Sequence, residues 1–332
     1  MNLTTRDGVP FVRTPEEAFA DLPDYPFAPR WREFQGLRMH YVDEGPRDAP
    51  VVLLTHGMPT WSFLNRRIIR RLLSAGYRCV APDCIGFGKS DKVIDDGWYS
   101  IERHAAAHRA LVEALDLTSI TLFCQDWGGP IGLIHAAAEP DRYRRLVIMN
   151  TWLHHDGYAY TDALRNWNAQ WKPDGLFGKN IPEPLSIGWF MMLPLGVMKP
   201  PQLFGIVQSG AHPALAPDEE RIRRGYDAPF TGLGFAGHAG VRRFPLSLPF
   251  DNPAGGAAAL QQATWDALRG WEKPVGFIWG GTDAVFTEAW GRQWAGLYPQ
   301  ASFDLLPDAG HFLQETHGAS IAELFLERAA RR

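Results

Sequence analysis

Seven short apolar runs alternate with stretches long enough for helices, and this alternation constrains the chain more than any other feature of it. The runs are Leu37 to Gly45, Val51 to Gly57, Tyr77 to Asp83, Ile120 to Asp126, Arg145 to Asn150, Val275 to Gly281 and Ser302 to Asp308. Between most of them lie helix-length stretches, among them Ser62 to Ser74, Ile101 to Leu115, Trp127 to Ala138, Glu288 to Leu297 and Leu313 to Ala330. Parallel strands need a crossover of a dozen or more residues, usually a helix. The pattern therefore predicts an α/β fold, with a mostly parallel sheet covered by helices on both faces. In 332 residues that are 45% apolar, there is material for a large core in one or two domains.

The alternation stops at Thr151 and resumes near Ala257. The intervening segment holds many of the prolines and several tryptophans but no strong strand run, and we read it as an inserted helical domain. The expected division is a first core part over 1–150, a helical cap over 151–255 and a second core part over 256–332.

Each core part ends its strands on residues that can do chemistry. The run Ile120 to Phe123 leads into Cys124, Gln125, Asp126, Trp127 and Gly128, a small-x-nucleophile-x-small pattern. Such a pattern lets a strand turn sharply into a helix while lifting one strained side chain above the sheet. On its own this corner also suits an Asp that caps the next helix. Two further residues favour chemistry. Asp283, in WGGTDAVF, and His311, in DAGHFLQE, follow in the order nucleophile, acid, histidine, each after a predicted strand. In HGMPTW, from His56 to Trp61, a backbone N–H can join that of the residue after the nucleophile. Met58 and Trp127 are thus the expected donors to a developing oxyanion.

The segments THGMPTWSFLNR, PDCIGFGKSDK, FCQDWGGPIGL, IMNTW, AGVRRFP and DAGHFLQE resemble those of the haloalkane dehalogenases, especially the branch that cleaves 1,2-dichloroethane. The resemblance implies an α/β-hydrolase fold with a mostly parallel eight-stranded sheet flanked by helices, and hydrolysis of haloalkanes to alcohol, halide and proton. It departs from the family at Met58, where Glu or Asn is usual; an Asn amide there helps hold halide, and a thioether has no N–H to replace it. An Asp nucleophile fits this chemistry independently. Serine attacking an sp3 carbon would leave an ether, whereas a carboxylate leaves an ester that water can hydrolyse with His311 as general base.

Departure of halide calls for uncharged donors. The indole N–H of Trp127 is one, and the resemblance calls for a second from the cap. Trp167 is the expected residue, with Trp171 and Trp189 as alternatives. The competing function is epoxide hydrolysis from the same Asp, which needs cap tyrosines to protonate an alkoxide; Tyr158, Tyr160 and Tyr226 are the candidates. A catalytically idle ligand receptor is the third reading, opposed by the retained nucleophile, acid and base.

The remaining motifs carry less. A formal net charge of -4 offers nothing to attract nucleic acid. Arg66 to Arg71, interleaved with Ile68, Ile69 and Leu72, reads as a solvated helix face. His104 and His108 have the spacing of a helical metal pair but lack a third ligand and read as a surface helix, while His154 and His155 read as exposed loop. GFGKS, at Gly86 to Ser90, lacks the earlier Gly of a phosphate loop and reads as a turn. No cofactor or metal is expected. Three cysteines form no even framework, and no window approaches a membrane span. A cytoplasmic monomer or small homo-oligomer is the expectation, with a small halogenated alkane and its halide as partners.

Overall fold

The computed structural model describes residues 2–178, 183–199, 202 and 212–330. The part of the expected cap over 179–182, 200–201 and 203–211 lies outside the described residues.

Eight strands form the main sheet. They are β3 (Arg30–Phe34), β4 (Leu37–Glu44), β5 (Val51–Thr55), β6 (Arg78–Pro82), β8 (Ile120–Gln125), β9 (Tyr143–Met149), β10 (Val275–Gly280) and β11 (Ser302–Leu306), in the spatial order β11-β10-β9-β8-β5-β6-β4-β3. Pairings from β6 to β11 through β5, β8, β9 and β10 are parallel; β4 runs antiparallel to both β3 and β6. All seven apolar runs are strands of this sheet. The additional strand, β3, is polar and partly exposed at the sheet edge. It joins β4 through Gln35 and Gly36, both at positive φ, the backbone of a two-residue hairpin turn. A smaller sheet of β1 (Leu3–Thr4), β2 (Pro10–Val12) and β7 (Lys92–Val93) lies outside it.

The central strands are buried on both faces: every residue of β5, β6 and β8 is buried. That accounts for their continuous apolar runs, in place of the alternation of a half-exposed strand. Helices flank the sheet in packed pairs, Arg66–Ser74 against Leu313–Ala330 and Ile101–Ala114 against Gly128–Ala138. Among the described residues, no strand falls between β9 and β10. That interval instead contains helices at Asp162–Trp171, Ile187–Met191, Pro217–Asp227, Gly234–Gly237, Ala239–Arg243 and Ala258–Leu268. Also among the described residues, no helix is long and apolar enough to cross a membrane.

Three readings of polar clusters are corrected by burial. Arg66, expected on a solvated face, is fully buried: its guanidinium makes two 2.6 Å bonds to the Glu315 carboxylate and lies over the Phe63 ring. Tyr226 OH donates to the same carboxylate at 2.5 Å, so this ion pair joins three segments distant in sequence. Only Arg70 of the cluster is fully on the surface, and Arg67 and Arg71 are half-buried. The Ile101–Ala114 helix is likewise no surface helix on its histidine side. His104 and His108 are buried, His104 stacking between Tyr99 and Phe244, and His108 Nε2 lying 3.4 Å from Cys84 Sγ. Burial pushes both imidazoles far below their ordinary value, His108 to about 3, so they pack as neutral aromatic rings. His154 and His155 are half-buried, not exposed; His155 stacks on Trp265 at 3.7 Å between ring centroids.

Candidate active site

The corner that follows β8 puts Asp126 in the left-handed region, at φ 50, where a side chain other than glycine's meets its own backbone at a cost of about 1–2 kcal/mol. Neighbours hold it there. Asp126 N donates to Asn150 O at 3.0 Å, while its own carbonyl accepts from Gly129 N at 2.9 Å and from Thr151 Oγ1 at 2.5 Å. Approach distance requires glycine on both sides of the corner: a Cβ on Gly128 would lie 2.7 Å from Thr55 O, and one on Gly57, in the loop after β5, would lie 2.2 Å from Asp126 Oδ1.

The raised carboxylate has two different faces. Oδ1 accepts the backbone N–H of Met58 at 2.8 Å, and Oδ2 stands 3.4 Å from His311 Nε2. On the other side of the imidazole, Nδ1 is 2.8 Å from Asp283 Oδ2. Since a carboxylate accepts, Nδ1 carries the proton, which leaves Nε2 directed at Asp126. Asp283 is buried in the loop after β10, where its Oδ1 accepts from Val285 N and Phe286 N. Burial disfavours charge on His311, but the carboxylates of Asp283 and Asp126 outweigh it and raise its pKa to about 10.

Above these groups lies a cavity of about 300 Å³, lined by Met58, Pro59, Asp126, Trp127, Trp152, Ala163, Leu164, Asn166, Trp167, Gln170, Phe190, Pro194, Leu248, Val285, His311 and Phe312. Its lining is mainly apolar, with the Asp126 carboxylate, the His311 imidazole, the Asn166 and Gln170 amides and the indoles of Trp127, Trp152 and Trp167 as the polar exceptions. Trp127 is braced edge-on by Trp152 at 4.6 Å and by Phe244 at 5.2 Å between ring centroids. Trp167 reaches the cavity from the Asp162–Trp171 helix, whose Ala163, Asn166, Trp167 and Gln170 recur at the three- and four-residue spacing of a single helical face. Thr161 caps that helix by accepting from Leu164 N, and its hydroxyl donates to Val285 O, two residues beyond Asp283.

Of the three cap tryptophans singled out from the sequence, only Trp167 lines the cavity. Trp171 packs against Trp167 and Phe177, and Trp189 stacks on His212 beneath Arg223. None of the three tyrosines lines it either. Tyr158 packs on Tyr160 and Trp290, Tyr160 OH bonds His154 Nδ1, and Tyr226 is bound to Glu315. The sequence did not single out Trp152, Phe190 or Phe312 as wall residues, nor Gln125 and Asn150 as supports. Gln125 contacts His311, and Asn150 Nδ2 donates to Asp283 Oδ2 at 2.8 Å. Position alone was a clue to both, since each stands at the carboxyl end of a strand beside a reactive group.

Residues 50–179 match the family model described as alpha/beta hydrolase fold. The chain is 36% identical to a haloalkane dehalogenase of Psychrobacter cryohalolentis over 324 residues, spanning 95% of this chain and 97% of that one. It is 38% identical to a haloalkane dehalogenase of Mycolicibacterium paratuberculosis over 325 residues, with the same two coverages. Among solved structures, the tetrameric haloalkane dehalogenase of Paraglaciecola agarilytica superposes with a TM-score of 0.78 at 32% identity, covering 95% of this chain and 97% of the other.

Proposed function

Because the chain belongs to the haloalkane dehalogenase family, and so to the hydrolases that act on carbon–halide bonds, we propose that its Asp126, His311 and Asp283 carry that reaction through a covalent ester. Asp126 Oδ2, the oxygen not engaged by Met58, attacks the halogen-bearing carbon in line with the carbon–halide bond. The bond breaks as the carbon–oxygen bond forms, and the halide departs toward the indole N–H groups of Trp127 and Trp167. Both walls are uncharged, so the ion exchanges its hydration for fixed donors with little competing charge.

In the second step, His311 Nε2 takes a proton from a water that attacks Cγ of the ester. Oδ1 becomes the oxyanion, already within 2.8 Å of the Met58 N–H, with the Trp127 backbone N–H as its second donor. Collapse breaks the Cγ–Oδ2 bond. The alcohol leaves with Oδ2, the water oxygen takes its place in the carboxylate, and one proton passes to solvent. Asp283 orients the imidazole and stabilises its charged form. In this reading, 151–255 acts as the cap that supplies Trp167, and 1–150 and 256–332 supply the rest.

One observation carries the choice of halide over epoxide: the cavity wall beside Asp126 presents Trp127 and Trp167, and none of the three cap tyrosines lines it. A panel of chloro-, bromo- and iodoalkanes assayed for halide release beside styrene oxide tests it, with release from the alkyl halides and no diol expected. A single turnover in ¹⁸O-water should yield unlabelled alcohol. Labelled alcohol in the first turnover would mean that water attacks the substrate directly. The tetrameric Paraglaciecola structure makes a small homo-oligomer the assembly to look for by light scattering.

A further inference from the structure

Gln125 is the last residue of β8, immediately before Asp126, and its side chain is fully buried. Its carboxamide nitrogen donates to the main-chain oxygen of His311 at 3.0 Å and lies 3.2 Å from His311 Nε2. A carbonyl oxygen only accepts, so the first contact fixes which end of the amide is nitrogen. The second contact is then an N–H directed at Nε2, favourable only while that atom keeps its lone pair. Gln125 Oε1, in this orientation, is buried without a partner among the described residues, so the amide is held by what its nitrogen meets.

Asp126 faces the same ring nitrogen, with Oδ2 at 3.4 Å, and has the opposite preference, since a carboxylate favours a proton on Nε2. Adjacent residues at one strand end therefore act against each other on a single atom. We propose that Gln125 is a positioning residue that selects the base form of His311 once Asp126 has become an ester. This rests on the covalent reading above. Esterification consumes the charge of Asp126, and any proton on Nε2 passes to solvent. The amide N–H remains at Nε2 and favours the unprotonated ring that must then accept a proton from water. The charged groups facing His311 are Asp126 and Asp283. Tyr158, near Asp283, is kept neutral by burial, and Phe286 and Phe312 pack on the ring without charge.

The test is rapid-quench single turnover of 1-bromobutane by the full-length enzyme, following bromide and butanol separately from neutral to alkaline pH. Gln125→Leu removes the donor, Gln125→Met does so with a flexible chain should the leucine variant fail to fold, and Gln125→Glu supplies an acceptor. In the two apolar variants, ester hydrolysis at neutral pH should fall about tenfold relative to the bromide burst, with the pH midpoint of hydrolysis rising by about one unit. Gln125→Glu should raise that midpoint further. Hydrolysis profiles that superimpose on the wild type, or a midpoint lowered by Gln125→Glu, would overturn the proposal. His311→Gln is the control for the underlying chemistry. If it accumulates an alkyl-enzyme by intact mass while the Gln125 profiles stay unchanged, only the role of Gln125 fails; if no adduct forms, the covalent reading fails.

Discussion

Asn150 and His311 converge on one oxygen of Asp283: Asn150 Nδ2 and His311 Nδ1 each lie 2.8 Å from Oδ2. The other oxygen accepts two backbone N–H groups, so the carboxylate has a partner on every side. Asp283→Asn keeps the shape but presents an amide where the imidazole needs an acceptor, and should lower kcat by about three to four orders of magnitude. Asn150→Ala leaves the acid in place and loosens it, for an expected loss of about tenfold to a hundredfold. Steady-state halide release measures both. Equal losses would mean that Asn150 does more than hold the acid.

Bromide or iodide titrated into the resting enzyme should quench part of its tryptophan fluorescence saturably. Trp127→Phe and Trp167→Phe keep a ring at each wall and remove one N–H, so each should weaken halide binding and slow dehalogenation, by about 10²-fold for Trp127. Trp171→Phe and Trp189→Phe, whose rings lie off the cavity, should leave halide affinity unchanged.

The meeting of Asp126, Asp283 and His311 is legible in the sequence because each follows a strand at its carboxyl end, and strand ends in a parallel sheet share one rim. Trp167 is expected only through its place resembling the family's first cap helix, which leaves Trp171 and Trp189 open; which of the three faces the cavity is decided by packing. What escapes the sequence is partnership across distant segments. Arg66 reads as a surface cation because Glu315, 249 positions away, is invisible to local pattern. His104 and His108 read as exposed because neutral, stacked histidines are indistinguishable from solvated ones without their neighbours. Strand β3 has no apolar face to detect, and Gln125 reveals itself only through what it touches.

Lys92 and His311 should tilt stability with pH in opposite directions. Burial, only partly offset by Asp83 and Asp91, lowers Lys92 from its ordinary 10.5 to about 7. Between those values the unfolded chain binds the extra proton, so this contribution grows as pH rises. His311, raised from 6.5 to about 10, binds the extra proton when folded, and its contribution, full below 6.5, is lost as pH rises toward 10. Urea unfolding at neutral and alkaline pH should show the stability gap between wild type and Lys92→Met shifting in favour of wild type with rising pH, and the gap to His311→Gln shifting against it.

The buried junction of Arg66, Glu315 and Tyr226 ties the Pro217–Asp227 helix to both core segments. Arg66→Met leaves Glu315 with only the half-buried Arg67, 3.2 Å away, as a charged partner and should cost about 3 kcal/mol. Tyr226→Phe removes one bond to a charged group, for about 1.5–3 kcal/mol. Urea titration monitored by circular dichroism gives both values. Tyr226→Phe should not alter halide binding, since the ring lies away from the cavity.

The hydroxyl of Thr161 sits where the Asp162–Trp171 helix begins and is bonded to Val285 O, while Val285 N holds Asp283. Trp167 and Asp283 are thereby indexed to each other through Thr161 and Val285, as two jaws of a vice share one screw. A designer who reshapes the chamber by changing Ala163, Asn166 or Gln170 alters its bore and leaves the jaws aligned. Adding a residue between Val285 and Thr287 would slide one jaw past the other, and so shift Trp167 relative to Asp283 without replacing any residue that lines the cavity.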